Sequence, residues 1–392
     1  MKVTTPGTEG ARRGSVFHRL YTGTGAFDIV GRRARWYVAL GLLVLVCLGA
    51  IGFRGFNLGI DFEGGTKIQL PAVGAQGPIS TDAVQDAFRD ALGHPAETVQ
   101  IVGVGANQSI QIRSSSLTTD QVAAVKQSLF TELQPLDQQG RPSQQVISDS
   151  AVSGTWGGEI TQQALIALGV FLVLVTVFLA LYFEKWMAVA ALIALFHDII
   201  VTAGIYSLVG FEVTPSTVIG LLTILGFSLY DTVVVFDKVK ENTRGLLGLT
   251  RRTYGEAANL AVNQTLMRSI NTSVIALLPV AGLLVVGAGL LGVGVLRDLA
   301  LVQLVGMIAG VVSSVFLATP LLVDFKMRDP RYRDHAAKVQ QRRERSATRA
   351  AEGPAEPRHA VAAGSGTNNH SSGRRPSRPA GKAGRPTGRR RR

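Results

Sequence analysis

PSTVIGLLTILGFSLYDTVVVFD, residues 215–237, is long enough to cross a bilayer as a helix, yet it sets a carboxylate, Asp231, within an otherwise apolar run. A charged side chain at bilayer depth costs roughly 2.5–3.5 kcal/mol on insertion scales, so such a residue usually faces a bundle interior or a proton or ion path. This stretch points to an α-helical membrane protein. It also poses the functional question of what stands opposite Asp231.

Working outward, five more apolar runs share its character: 36–53, 164–183, 187–209, 270–291 and 295–325. The last is overlong for an untilted crossing. Six transmembrane helices follow, with a long polar interval between the first and second. Composition agrees: 46% of the 392 residues are hydrophobic, yet the formal net charge is +13. Those figures conflict for one soluble domain and suit a membrane protein with a basic appendage. Residues 326–392 hold 19 of the 40 Lys and Arg against five acids, so they carry the whole excess. The single cysteine, Cys47, lies in the first apolar run, excludes an intramolecular disulfide and reads as a small packing or lipid-facing residue. A long basic leader precedes that run and Arg54-Gly55-Phe56 follows it, which reads as an uncleaved first span rather than a secretory signal.

Basic residues set the orientation. Arg12, Arg13, Arg32, Arg33 and Arg35 precede the first span, and Lys238, Lys240, Arg244, Arg251 and Arg252 follow the fourth, whereas the link 210–214 has none. Both termini are therefore expected in the cytoplasm. The chain divides into a basic N-terminal segment (1–35), the first span (36–53), an extracytoplasmic domain (54–162), spans two to six (163–327) and a basic, disordered cytoplasmic tail (328–392) with a helical start at 335–349. Within the external interval, 66–70, 98–102, 109–113 and 145–152 read as strands, the second and third joined by a Gly/Asn turn. Ser80-Thr81-Asp82 caps a helical stretch to 92, and Thr118-Thr119-Asp120 opens another. The order β-α-β-β-α-β is the ferredoxin-like arrangement.

Four motifs carry further meaning. Gly59-Ile60-Asp61-Phe62-Glu63-Gly64-Gly65-Thr66 lies just beyond the first span. The paired glycines Gly64 and Gly65 permit positive φ and close backbone approach at a turn into the first strand, with Gly59 opening the motif. Asp61 and Glu63, two acids without further ligands, make a poor metal site, and no metal is expected. Phe196-His197-Asp198-Ile199-Ile200 falls near mid-membrane in the third span, GFSLYDTVVVFDK (226–238) ends the fourth, and Arg268-Ser269-Ile270-Asn271-Thr272-Ser273 opens the fifth. Together, in this order and topology, the four resemble SecF proteins, the family of the SecD–SecF membrane complex in the resistance-nodulation-division superfamily. The likeness covers about residues 25–324 and leaves out the tail.

The resemblance implies a subunit of the bacterial inner membrane that assists Sec-dependent export and draws on the proton motive force. Its implied partners are a SecD-like membrane subunit, the Sec translocon channel and exported polypeptide clients, within membrane lipids and without a specific nucleic acid. From the residues themselves, Asp231 sits about 15 positions into its span, ~22 Å from the outer end. Arg268 enters the membrane from the cytoplasmic side and reaches a similar depth. An Arg opposite an Asp favours the carboxylate while burial favours the neutral acid, so a small helix movement swaps the winner, as a proton carrier needs. Ser228, Thr232, Asn271, Thr272 and Ser273 are placed to extend hydrogen bonds or hold water around the pair. The bland alternative is an Asp–Arg contact that only fixes helix register.

His197 and Asp198 read either as a proton relay, since His titrates near neutrality, or as a hydrogen-bonded packing pair against the fourth span. Residues 254–267 suit an interfacial amphipathic helix. Gly282, Gly287, Gly289, Gly292 and Gly294 suit close packing and a tight turn. No nucleophile–base pair, metal-ligand cluster or phosphate loop stands out, so neither an enzyme nor a cofactor is expected. Two rivals remain: half of a proton-coupled small-molecule or lipid exporter, and a structural scaffold of a membrane complex. The basic tail is either a solvated extension or a surface for anionic lipid or another polyanion.

Overall fold

The computed structural model describes residues 27–102, 108–137, 139–290 and 294–351. Arg12, Arg13, Gly292, the Gly/Asn turn at 103–107 and the tail beyond 351 lie outside the described residues. Two compact units, Met1–Arg343 and Glu344–Arg392, divide the chain.

In chain order, helix α1 (Arg33–Arg54) leads to a two-residue strand β1 (Asn57–Leu58) and one helical turn, α2 (Ile60–Glu63). The α+β domain then runs through β2 (Gly65–Pro71), a small hairpin β3 (Val73–Gly74) and β4 (Gly77–Pro78), α3 (Thr81–Leu92), β5 (Thr98–Val102), β6 (Ser109–Ser114), α4 (Thr119–Leu133) and β7 (Ser148–Val152). The main sheet is antiparallel in the order β5-β6-β2-β7, the ferredoxin-like arrangement. Local chemistry fixes both helices. The Ser80 hydroxyl accepts from the backbone N–H of Ala83, and Thr118 with Gln121 forms a capping box. Val84, Ala87 and Phe88 from α3 and Val125 and Leu129 from α4 bury against Ile68, Leu70, Ile110 and Ile112 of the sheet. The last strand begins at Ser148, after a 3₁₀ turn over Gln144–Val146, later than the expected 145.

Five more long helical elements follow: α5 (Gly154–Tyr182), α6 (Lys185–Val209), α7 (Pro215–Thr243), α8 (Tyr254–Gly282, continued by a π-helical stretch to Leu290) and a composite sixth. The sixth joins α9 (Gly294–Ser313), a π-helical turn (Ser314–Ala318) and α10 (Thr319–Met327). Among the described residues, six helices, α1 included, are long and apolar enough to cross a membrane. Their outer surfaces show apolar side chains such as Leu165, Leu174, Leu181, Ile275 and Leu278, as contact with lipid tails requires.

Three details differ from expectation. Residues 254–267 form no separate interfacial helix; the Thr253–Glu256 capping box starts α8 there and nothing breaks the helix before Gly282. The tail is helical from Pro330 to Ala351 (α11), longer than the start expected at 335–349 and ordered where disorder was expected from 328. The part of α11 within the first unit is anchored by buried Val339 and by His335 Nε2 on the Leu249 carbonyl.

The domain is tied to the helices through its entry and exit. Gly64 and Gly65 adopt φ of +79° and +127°, and a Cβ on Gly64 would stand 2.7 Å from the Gly154 backbone nitrogen. The paired glycines thus let the chain pass between the start of α5 and strand β6. β1 pairs in parallel with β8 (Glu212–Val213), the link between α6 and α7. Arg113 of β6, 6% exposed, donates to the Asn57 side-chain oxygen (2.9 Å) and the Leu58 carbonyl (2.7 Å), with Glu63 3.5 Å away.

Candidate functional site

Four helices bring a polar cluster into the apolar interior of the bundle. α6 contributes His197 and Asp198, α7 contributes Ser228 and Asp231, α8 contributes Ser269, and the sixth span contributes Ser313 and Ser314. Asp198 is 1% and Asp231 5% exposed. Ser228 and Asp231 stand three residues apart and so share a face of α7.

Both carboxylates are held by hydroxyls. Asp231 Oδ1 accepts from Ser269 Oγ at 2.6 Å, and its Oδ2 accepts from Ser314 Oγ. Asp198 Oδ2 accepts from Ser228 Oγ at 2.5 Å and Ser313 Oγ at 2.9 Å, while its Oδ1 lies 3.1 Å from His197 Nδ1. The consecutive residues Ser313 and Ser314 therefore tie the two acids to one helix. Close approach makes this reach possible. A Cβ on Gly310 would stand 2.8 Å from Ser228 Cβ, and one on Gly306 would stand 2.6 Å from Ile224 Cδ1, so the fourth and sixth spans meet nearly backbone to backbone.

The expected opposite partner is elsewhere. Arg268 is exposed, and its Nη2 donates to the Tyr230 hydroxyl at 3.2 Å. The adjoining residue, Ser269, is the one that reaches Asp231. The polar neighbours also redistribute: Ser228 serves Asp198, Thr272 Oγ1 donates to the Arg268 carbonyl, and Ser273 Oγ donates to the Ser269 carbonyl. Thr232 is buried beside Asp231 in the chain, and Asn271 is exposed. His197 belongs to the cluster through Asp198, but its Nε2 finds no partner and borders an apolar cleft with Leu43, Val201, Val305 and Val312. At the domain side, Gly59, Asp61, Gly64 and Gly65 form the entry turn; Asp61 lines a polar cavity of about 250 Å³ with Lys67, Glu212, Arg297 and Asp298.

Ser269, Ser313 and Ser314 are the site residues that sequence reasoning missed. A signal was present: Gly306, Gly310 and Ser314 recur every four residues in an apolar run, marking one close-packing face.

Chemically, a hydroxyl can donate to an ionised carboxylate or accept from a protonated one. A guanidinium can only donate and always favours the charged form. The cluster therefore offers hydrogen-bond partners to both protonation states of Asp231 and Asp198.

Comparison with known proteins adds independent evidence. Residues 133–328 match the family model described as protein export membrane protein SecD/SecF, C-terminal, and residues 49–75 match the SecD/SecF GG motif. The protein translocase subunit SecF of Mycobacterium tuberculosis (strain ATCC 25618 / H37Rv) is 51% identical, with 96% of this chain and 89% of that protein covered. The Streptomyces coelicolor SecF is 43% identical, with 86% and 87% covered. The crystal structure of SecDF from Thermus thermophilus, a translocon-associated membrane protein, superposes with a TM-score of 0.65 at 30% identity, covering 76% of this chain and 38% of that one. With the span arrangement, the paired glycines of the entry turn and these matches in hand, the chain belongs to the SecF family of protein translocase subunits.

Proposed function

We propose that this protein assists Sec-dependent polypeptide export, using the proton motive force through reversible protonation of Asp231. One observation carries the reading: a carboxylate buried among membrane helices whose hydrogen bonds come from hydroxyls and not from a fixed cation. Binding a proton there weakens charge-assisted bonds from Ser269 and Ser314, so the fourth helix changes its hold on the fifth and sixth. One proton crossing 100 mV supplies ~2.3 kcal/mol, enough to bias a conformational equilibrium about fifty-fold. The entry turn and the β1–β8 pairing transmit such a shift to the external domain, which stands outside the membrane and meets emerging clients.

Arg268 supports a membrane partner. A guanidinium exposed on a transmembrane helix requires a polar neighbour, and Tyr230 supplies a single neutral oxygen. A second membrane subunit, SecD-like in character, presents an acidic group to Arg268. The matched part of the Thermus SecDF structure is 38% of that chain, leaving room there for a second half of this kind. Basic segments before the first span, after the fourth and after the sixth support cytoplasmic termini in a bacterial inner membrane.

The test is Asp231→Asn, which keeps volume and hydrogen bonding. The variant should assemble at wild-type levels while proton-driven export of a reporter from membrane vesicles falls to the level seen with an uncoupler. Uncoupler-sensitive export at the wild-type rate removes Asp231 from the mechanism.

A further inference from the structure

Ser314 Oγ lies within hydrogen-bond reach of two acceptors, Asp231 Oδ2 and, at 3.1 Å, the Val311 carbonyl of its own helix. Ser313 repeats the pattern, with Asp198 Oδ2 at 2.9 Å and the Gly310 carbonyl at 3.1 Å. A serine hydroxyl has one hydrogen, so each serine makes one strong donation at a time. While the acid is ionised, the charge-assisted bond across the helix interface wins. When the acid gains a proton, its own O–H donates to the serine oxygen, and the serine hydrogen turns to the helix carbonyl.

The place where this exchange happens matters. Ser314 opens the π-helical turn Ser314–Ala318, where the sixth span departs from α geometry. Such turns are conformationally adjustable, and a serine bonding back to its own helix bends it. Two further features focus the effect. Gly310 sets the sixth span directly against Ser228, and Ser313 and Ser314 are adjacent, so a change at one acid is felt at the other.

We infer that Ser314, with Ser313 at the second acid, is the positioning residue that converts proton uptake by Asp231 into a change of shape of the sixth span. This rests on the proton-coupled reading above. Among the described residues near the level of Asp231, the titratable or charged groups on the helices packed around it are Asp198 and His197 on α6, Tyr230 on α7 itself and Arg268 on α8, while the sixth span offers hydroxyls there.

The experiment uses the full chain with its membrane partner in lipid vesicles, spin-labelled at Ile219 and Ile308, exposed sites on the fourth and sixth spans. The distance distribution between labels is recorded across a pH series from about pH 4 to about pH 9. The wild type should show two populations that exchange with pH. Asp231→Asn should hold the acid-side population at every pH. Ser314→Ala should lose the pH response and slow proton-driven export about tenfold, the scale of one charge-assisted hydrogen bond. Ser314→Thr, which restores the hydroxyl, should recover both to within about twofold. A full pH response in Ser314→Ala, with the response absent in Asp231→Asn, overturns the role of the serine and leaves the carboxylate mechanism standing. A full response in Asp231→Asn overturns both.

Discussion

Gly64 illustrates how a single backbone position sets the domain on its stem. Its φ of +79° costs a side chain ~1–3 kcal/mol, and a Cβ would in addition press on the Gly154 nitrogen at 2.7 Å. Gly64→Ala should therefore lower hydrogen-exchange protection across β2 and the start of α5 while leaving α3 and α4 unchanged. Asp137 makes a smaller, pH-dependent contribution. Its carboxylate accepts from the backbone N–H groups of Arg141 (2.9 Å) and Gln139 (2.8 Å), and the Arg141 bond foremost holds the carboxyl below its usual range. A depressed folded-state value stabilises above the unfolded value near ~3.9 and loses that effect as pH falls through the folded one. Asp137→Asn should thus lower the melting temperature of the α+β domain slightly at pH 7 and be silent in strong acid, measured by differential scanning fluorimetry. The same scale explains the Arg268 result. Depth along a helix is legible from residue counting, but successive side chains differ by about 100° in direction. Arg268 and Ser269 lie at nearly the same level and face different neighbours, and only packing decides which of them meets Asp231.

Elements behave as rods with adjustable joints. Six spans and the β-α-β-β-α-β order were legible because apolar length, alternation and caps are local properties, as Ser80 and Thr118 show. The division of the sixth span was not read from the run 295–325, although Ser313-Ser314 and Thr319-Pro320 flank the place where its π-helical turn falls, and Pro320 lacks the N–H that a regular α-helix would use there. Serine is compatible with any membrane helix, so Ser313 and Ser314 acquire meaning only from what stands across from them. Gly310 tests that contact. Gly310→Leu places a side chain where Ser228 Cβ would be 2.8 Å from its first carbon, and overpacking of this kind costs ~1–3 kcal/mol. The variant should denature at lower temperature in detergent and lose disulfide trapping between cysteines placed at Ile224 and Gly306.

At the scale of the molecule, α8 is one continuous helix from Tyr254 to Gly282 and joins regions that are far apart in sequence. Near its start, Asn259 and Asn263 hold the backbone of Phe27, Ile29 and Val30 ahead of the first span. Arg343 clasps Glu256 through both carboxylate oxygens, at 2.7 and 2.8 Å. Further along, Ser269 holds Asp231. Side-chain contacts along α8 thus join the acid to the segment before the first span and to α11.

The outward-facing guanidinium on this rod has a consequence for the life of the protein in the cell. With the proposed companion absent, Arg268 faces lipid with only the Tyr230 hydroxyl as partner, a costly position for a charge. Arg268 should accordingly act as an orphan signal: pulse-chase labelling in cells lacking the companion should show rapid turnover of the wild type and a longer half-life for Arg268→Leu.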